Sequence, residues 1–423
     1  MKLKDFDYNL PQELIAQEPI KPRDHSRLLV LDKRTGKIEH RHFFEIGEFL
    51  QAGDVLVLNN SKVFPARLIG KKAESGGKVE VFLLKRTTPL NPPLSGGQVN
   101  YGDLTRGQIN YHSLSKVQAS HAPMIKGGRG DLWQCLLSGR GCRVGLIIEF
   151  EKKLFAEVVK DNQDGTWQVG FNVPEEKFMK LIERIGQVPL PPYIKRSSKD
   201  AEQSELKLND KKTYQTVFSN EKKAGSVAAP TAGLHFTDAL IKKLKKQGVQ
   251  FEQVTLHVGL GTFASVKTEK ITEHKMHSEW AEVDKNTLRR LIQAKKEGRR
   301  IITVGTTATR TLETAWRTIT THDTRYTIHD FTGWTDIFIY PGYEFDAIDG
   351  MITNFHVPKS TLLMLVSALA QNGHKNKKTG LKKVLLAYDE AIKKGYRFFS
   401  CLADCSRYTE VHNYPYPRSG SLF

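Results

Sequence analysis

Residues 225–263, GSVAAPTAGLHFTDALIKKLKKQGVQFEQVTLHVGLGTF, hold one complete helix-to-strand unit. Thr237 stands where a helix cap belongs, Leu240, Ile241 and Leu244 form an apolar stripe, and Gly248 supplies the stop. A strand is expected over 249–258. That register places two histidines, His235 and His257, and two Gly-rich turns, one around Thr231 and Gly233 and one at Gly259 and Gly261, at the ends of the elements. Ligands of α/β folds bind at such ends. A histidine buried there with a structural hydrogen bond fits the same pattern.

The unit recurs along the chain. Residues 284–297, with Leu288, Leu291 and Ile292 on one face, stop at Gly298 before RIITVG, and residues 381–394, with Val384, Leu385, Tyr388 and Ile392, stop at Gly395 before YRFFS. Alternation of this kind implies an α/β fold, a mostly parallel sheet covered by helices. Between 79 and 173 the texture changes to short β-rich runs, VEVFLL, LWQCLL, VGLIIEF, LFAEVVK and TWQVGFNV, with Gly, Asp and Asn turns between them and no helical stripe. They read as a small antiparallel β-barrel. The expected division is a discontinuous α/β domain, 1–75 and 176–423, with the barrel inserted at 76–175. Within the insertion, 87–131 is polar and Gly/Pro-rich and carries a near repeat, GQVNY and GQINY, which reads as an extra surface loop.

With 64 Lys+Arg against 46 Asp+Glu, the formal charge is +18, which suits a polyanionic partner such as RNA and also fits a basic protein without one. At 423 residues and 39% hydrophobic, the chain has enough apolar surface for two cores. No run approaches the roughly 18 apolar residues of a membrane span, and the first ten residues are too charged for a signal peptide, so a cytoplasmic protein is expected. The four cysteines, Cys135, Cys142, Cys401 and Cys405, fit reduced thiols. Cys401 and Cys405 lack a second close pair to complete a zinc site, and no metal is expected.

Further motifs accompany VAAPTAGLHFT and VTLHVGLGTF. They are LPQELIAQEP, SRLLVLD, GDVLVLNNSKVFPARL and GGKVEVFLL, then VPLPPYI and YQTVFS, then HKMHSEWAEV, IITVGTTATRTLE and DIFIYPGYEFDAIDGMITNFHVPKSTLLMLVSALA. From residue 11 to about residue 400 the chain thereby resembles the S-adenosylmethionine:tRNA ribosyltransferase-isomerases of queuosine biosynthesis. The resemblance implies an α/β domain with an inserted barrel and a monomer without cofactor. S-adenosylmethionine would be the co-substrate, its ribosyl part passing to 7-aminomethyl-7-deazaguanine at the tRNA wobble position to give epoxyqueuosine, adenine and methionine. After YRFFS the family continues into a Gly-Asp-Ala-Met-type strand. Here Ser400 is followed by CLADCSRYTEVHNYPYPRSGSLF, which reads as a disordered tail.

The implied reaction needs a base, an acid and groups that hold charge. Four histidines lie in the matching motifs: His235, His257, His277 and His356. His277 is the first choice for the base, because Glu279 two positions on would share its face on an extended segment; a structural His–Glu hydrogen bond has the same signature. At IITVGTTATR a strand runs into a helix start, where Thr306, Thr307 and Arg310 are placed to hold a carboxylate or phosphate, or the threonines simply cap the helix. Asn354, Lys359 and Ser360 join His356 in a polar loop ahead of an apolar helix, and loops so placed carry sites. Candidate tRNA contacts are Lys62, Arg67, Lys71 and Lys72 for phosphates and Tyr193 and Phe64 for bases, although core packing is the commoner role of such aromatics. A tRNA-guanine transglycosylase would require a Cys-rich zinc site, and a Rossmann methyltransferase its glycine fingerprint after the first strand; both are missing from the sequence. A non-catalytic tRNA-binding protein would explain the charge but not the histidine motifs.

Overall fold

The computed structural model describes residues 1–87, 132–191, 194, 210–259, 266–320 and 328–398. The near repeat of the extra loop and the tail beyond 398 lie outside the described residues. The chain divides into two units, Met1–Pro65 with Gln187–Phe423, and Ala66–Gly186.

In the first unit the strand Val55–Asn59 is buried along its whole length. Its period of two sends Val55 and Val57 into one core and Leu56 and Leu58 into another, so both faces of the sheet must be covered. Gln250–Leu256 pairs with it in parallel on one side and Ile301–Val304 on the other, and Gly350–Ile352 extends the parallel set beyond Ile301–Val304. Glu279–Val283 and Phe331–Thr335 complete the six strands as an antiparallel edge. The Leu56 face packs against helix Asp238–Lys246, through Leu240 and Leu244, and against the 3₁₀ segment Phe43–Phe49. Helices Lys285–Lys296, Thr306–Thr320, Thr361–Gln371 and Lys378–Lys393 cover the Val55 face.

Local chemistry sets the helix ends. The Thr237 hydroxyl accepts from Leu240 N at 3.2 Å, the Asp284 carboxylate from Asn286 N at 2.8 Å, and the Ser360 hydroxyl from Leu363 N at 3.2 Å. Gly248 follows its helix at φ +86°, a left-handed conformation that side chains resist. Of the expected strand at YRFFS the described residues reach Phe398, which forms a bridge with Ile15. Phe398 exchanges hydrogen bonds with Leu14 and Ala16 of the N-terminal segment, so its backbone is satisfied without a sheet partner.

The second unit is a closed antiparallel barrel of six strands, in the order Trp167–Phe171, Leu132–Ser138, Lys78–Arg86, Arg67–Lys72, Ile147–Glu149 and Phe155–Asp161. It is wider than the 76–175 read from the sequence. Arg67–Lys72 pairs with Lys78–Arg86 on one side and Ile147–Glu149 on the other, which closes the ring. At the far end helix Glu175–Ile185 buries Phe178, whose ring centroid lies 4.3 Å from that of Phe171. Gly70 is required at the crossing, since a Cβ there would stand 2.7 Å from Ile148. Cys135, buried, and Cys142 are both free thiols. Among the described residues no helix is long and apolar enough to cross a membrane.

Candidate active site

The carboxyl ends of the parallel strands lie along one edge of the sheet, where Asn59–Ser61, His257–Gly259, Gly305–Thr307 and Thr353–His356 follow their strands. Glu279, at the start of an antiparallel strand, joins the same edge. Asn59 knits two of these ends together: its Oδ1 accepts from Ser61 N at 3.0 Å and Leu256 N at 3.1 Å, and its Nδ2 donates to Leu256 O at 3.0 Å.

His235 closes a 3₁₀ turn, Thr231–His235, and is buried. Its Nδ1 lies 2.8 Å from the Ser26 hydroxyl and its Nε2 lies 3.1 Å from Asn354 Oδ1, while the ring packs 5.2 Å from that of Phe43. Burial pushes its pKa down to about 4, against the opposing hydrogen bonds from Asn354 and the Arg23 backbone, so the ring is neutral at pH 7. A cavity beside the ring is lined by Phe43, Thr353, Asn354, Phe355 and Tyr388. Gly233 packs on Thr216, where a Cβ would stand 3.1 Å away. Across the turn, Ala232 faces Gly305.

Glu279 is turned away from His277. Its carboxylate pairs with the Arg310 guanidinium inside the protein and accepts from Gly259 N at 2.9 Å, fixing the backbone at Gly259. Arg310 is used up structurally, donating also to Ile337 O at 3.3 Å and Thr335 O at 3.4 Å. His277 is exposed, beside His274. The face-sharing expected of His277 and Glu279 is therefore replaced by a Glu279–Arg310 pair, because the strand begins only at Glu279 and a carboxylate buried there takes the nearest cation.

His257 is half-buried, with Nδ1 enclosed and, among the described residues, without a hydrogen-bond partner. Burial lowers its pKa, with Glu282 opposing and Lys223 adding to the shift. Gly225 gives it room, since a Cβ there would lie 2.7 Å from Nδ1. Thr306 and Thr307 open their helix, nearly buried, and Thr307 Oγ1 also lacks a partner among the described residues. His356 is a core residue. Tyr388 OH meets its backbone N at 3.1 Å and its Nδ1 at 3.4 Å, Tyr8 OH donates to its carbonyl at 2.5 Å, and burial pushes its pKa down to about 3. Lys359 pairs with Asp7 at 2.7 Å, and Ser360 is a helix cap.

Residues 3–401 match the model of the queuosine biosynthesis protein family. The chain belongs to that family. It is 45% identical over 402 residues to the S-adenosylmethionine:tRNA ribosyltransferase-isomerase of Heliobacterium modesticaldum, covering 95% of this chain and 98% of the relative. A solved structure, the S-adenosylmethionine tRNA ribosyltransferase of Thermotoga maritima, is 35% identical and covers 94% of this chain and 98% of that one, with a TM-score of 0.45.

Within this family member three of the four expected phosphate contacts have partners of their own. Lys62 pairs with Glu221 at 2.5 Å, Arg67 forms a two-pronged pair with Glu80 at 2.8 Å, and Lys72 donates to the Arg140 carbonyl. Lys71 is exposed on the barrel, Phe64 is core, and Tyr193 and Gly261 lie outside the described residues. Sequence reasoning missed Ser26, whose hydrogen bond with His235 spans 209 positions. Its place in SRLLVLD, between a turn and an apolar run, is the one signal available.

Proposed function

We propose that the protein transfers and isomerises the ribosyl part of S-adenosylmethionine onto 7-aminomethyl-7-deazaguanine at the tRNA wobble position, giving epoxyqueuosine-tRNA, adenine and methionine. The observation that carries this is the chain-long identity of 45% with a protein of that named activity. The sulfonium acidifies the adjoining 5′-methylene. Its proton leaves to a base, adenine departs, the aminomethyl nitrogen attacks, and the epoxide closes as methionine is expelled. In this reading His277 takes the proton, since it is the exposed histidine at the site edge and is open to a bound substrate. Glu279 and Arg310 serve by holding the backbone at Gly259. Neutral His235, anchored by Ser26, fixes Asn354 next to the cavity, where its amide is suited to orienting a polar substrate edge.

The test is adenine release from S-adenosylmethionine by the purified protein, with and without tRNA carrying the aminomethyl base. Adenine and methionine released in equal amounts only with the modified tRNA supports the activity. Tight tRNA binding with no adenine release would make the protein a binder.

A further inference from the structure

Helix Asp238–Lys246 leaves the candidate site directly, its cap Thr237 lying two residues beyond His235. Leu240 and Leu244 enter the core, and Lys242, Lys243, Lys245 and Lys246 face solvent along about 6 Å of helix. None of these four lysines has a carboxylate partner among the described residues, whereas Lys62, Lys223 and Arg310 are all paired. Lys242, Lys243 and Lys246 line a shallow depression with Ala239 and Gln247.

Aromatic rings border this row. Lys243 Nζ reaches the Phe44 carbonyl at 3.5 Å, and the half-buried Phe44 ring stacks on His42, 5.3 Å and 8° away, with exposed His25 on it at 5.0 Å. Asp24 of the His25 turn accepts from the Thr237 hydroxyl at 2.6 Å, which ties the ring cluster to the helix start. Nearby carboxylates are engaged locally, Glu45 with His42 N at 2.6 Å and Glu48 with Arg41 at 3.8 Å. Unpaired lysines beside stacked rings are the elements that bind single-stranded nucleic acid, cations on phosphates and rings on bases.

We propose that this face, helix Asp238–Lys246 with the His25 turn and Phe44, docks the RNA strand flanking the nucleotide that reacts at the sheet edge. The proposal rests on tRNA being the substrate. On this face the strand runs away from His235 along the helix.

The test measures tRNA affinity against salt for wild type, for Lys242→Gln/Lys243→Gln/Lys246→Gln, and for a control, Lys296→Gln/Lys378→Gln/Lys382→Gln, on the helices of the other face. The first triple variant should flatten the log Kd against log salt slope by about 2, near 0.7 for each phosphate no longer neutralised, and the control should keep the wild-type slope. Phe44→Leu, which keeps apolar bulk without a ring face, should weaken binding about tenfold. Turnover at saturating tRNA should stay at the wild-type rate in all three. An unchanged slope in the first variant, or equal flattening in the control, would overturn the docking face while wild-type turnover upholds the activity. Wild-type binding without any adenine release would instead sink the activity and leave the docking face standing.

Discussion

Glu279 and Arg310 meet inside the protein, each about 3% exposed, and the pair links the antiparallel edge strand to the helix that follows Ile301–Val304. Through Gly259 N it also fixes the backbone that follows Gln250–Leu256. One buried pair thus holds three neighbouring parts of the sheet edge in register. Removing one partner leaves an uncompensated charge. Glu279→Gln should lower unfolding stability by about 3–5 kcal/mol in urea, and Glu279→Gln/Arg310→Met should recover part of it. A single variant within about 1 kcal/mol of wild type would show that the pair contributes little.

Gly225 and His257 provide a second test. Gly225→Ala forces a Cβ to 2.7 Å from the ring, so the imidazole must move. Turnover should fall in Gly225→Ala, and adding His257→Ala to it should cost far less than His257→Ala alone. Additive losses would mean that the glycine acts on something other than this ring.

The two buried histidines set an acid limit. His235 titrates near 4 and His356 near 3 in the folded protein, both lowered first by burial, against about 6.5 unfolded. Below about pH 6.5 the unfolded chain therefore binds protons that the folded one refuses. Their contribution to stability is complete above about pH 6.5, declines as pH falls, and levels off below the folded values. For His235 the loss is roughly 3 kcal/mol, at about 1.4 kcal/mol per unit. Urea unfolding at about pH 7.5 and 4.5 checks it: His356→Gln and His235→Gln should each lose less on acidification than wild type. Equal losses would assign acid sensitivity to other groups.

Punctuation makes the α/β unit legible. Gly248, Gly298 and Gly395 all stand just past their helices with φ between 64° and 86°, and Thr237 and Asp284 cap where the sequence places them. These signals are local. Arg67–Lys72 is harder to read, because a glycine holds one of its inward positions and its cations suggest RNA rather than a strand. The partner of Glu279 is invisible for a different reason: Arg310 lies 31 positions away, and only the sheet order brings them together. His356 shares its motif with Asn354 and Lys359 yet faces Tyr388 in the core, a distinction that depends on a helix supplied by residues 378–393.

Among the histidines, His277→Ala should cut turnover by about 10² to 10⁴ with tRNA affinity nearly unchanged, the range expected for a missing general base. His356→Ala should act mainly on stability. Near-normal turnover in His277→Ala with a dead but folded His235→Ala would move the base to His235.

The most direct measurement uses S-adenosylmethionine labelled separately in the ribose and in the methyl group, incubated with the protein and tRNA bearing 7-aminomethyl-7-deazaguanine. Ribose label should appear in the tRNA nucleoside while the methyl label leaves entirely in methionine. Methyl label in the tRNA, or neither label there while the tRNA is bound, would contradict ribosyl transfer.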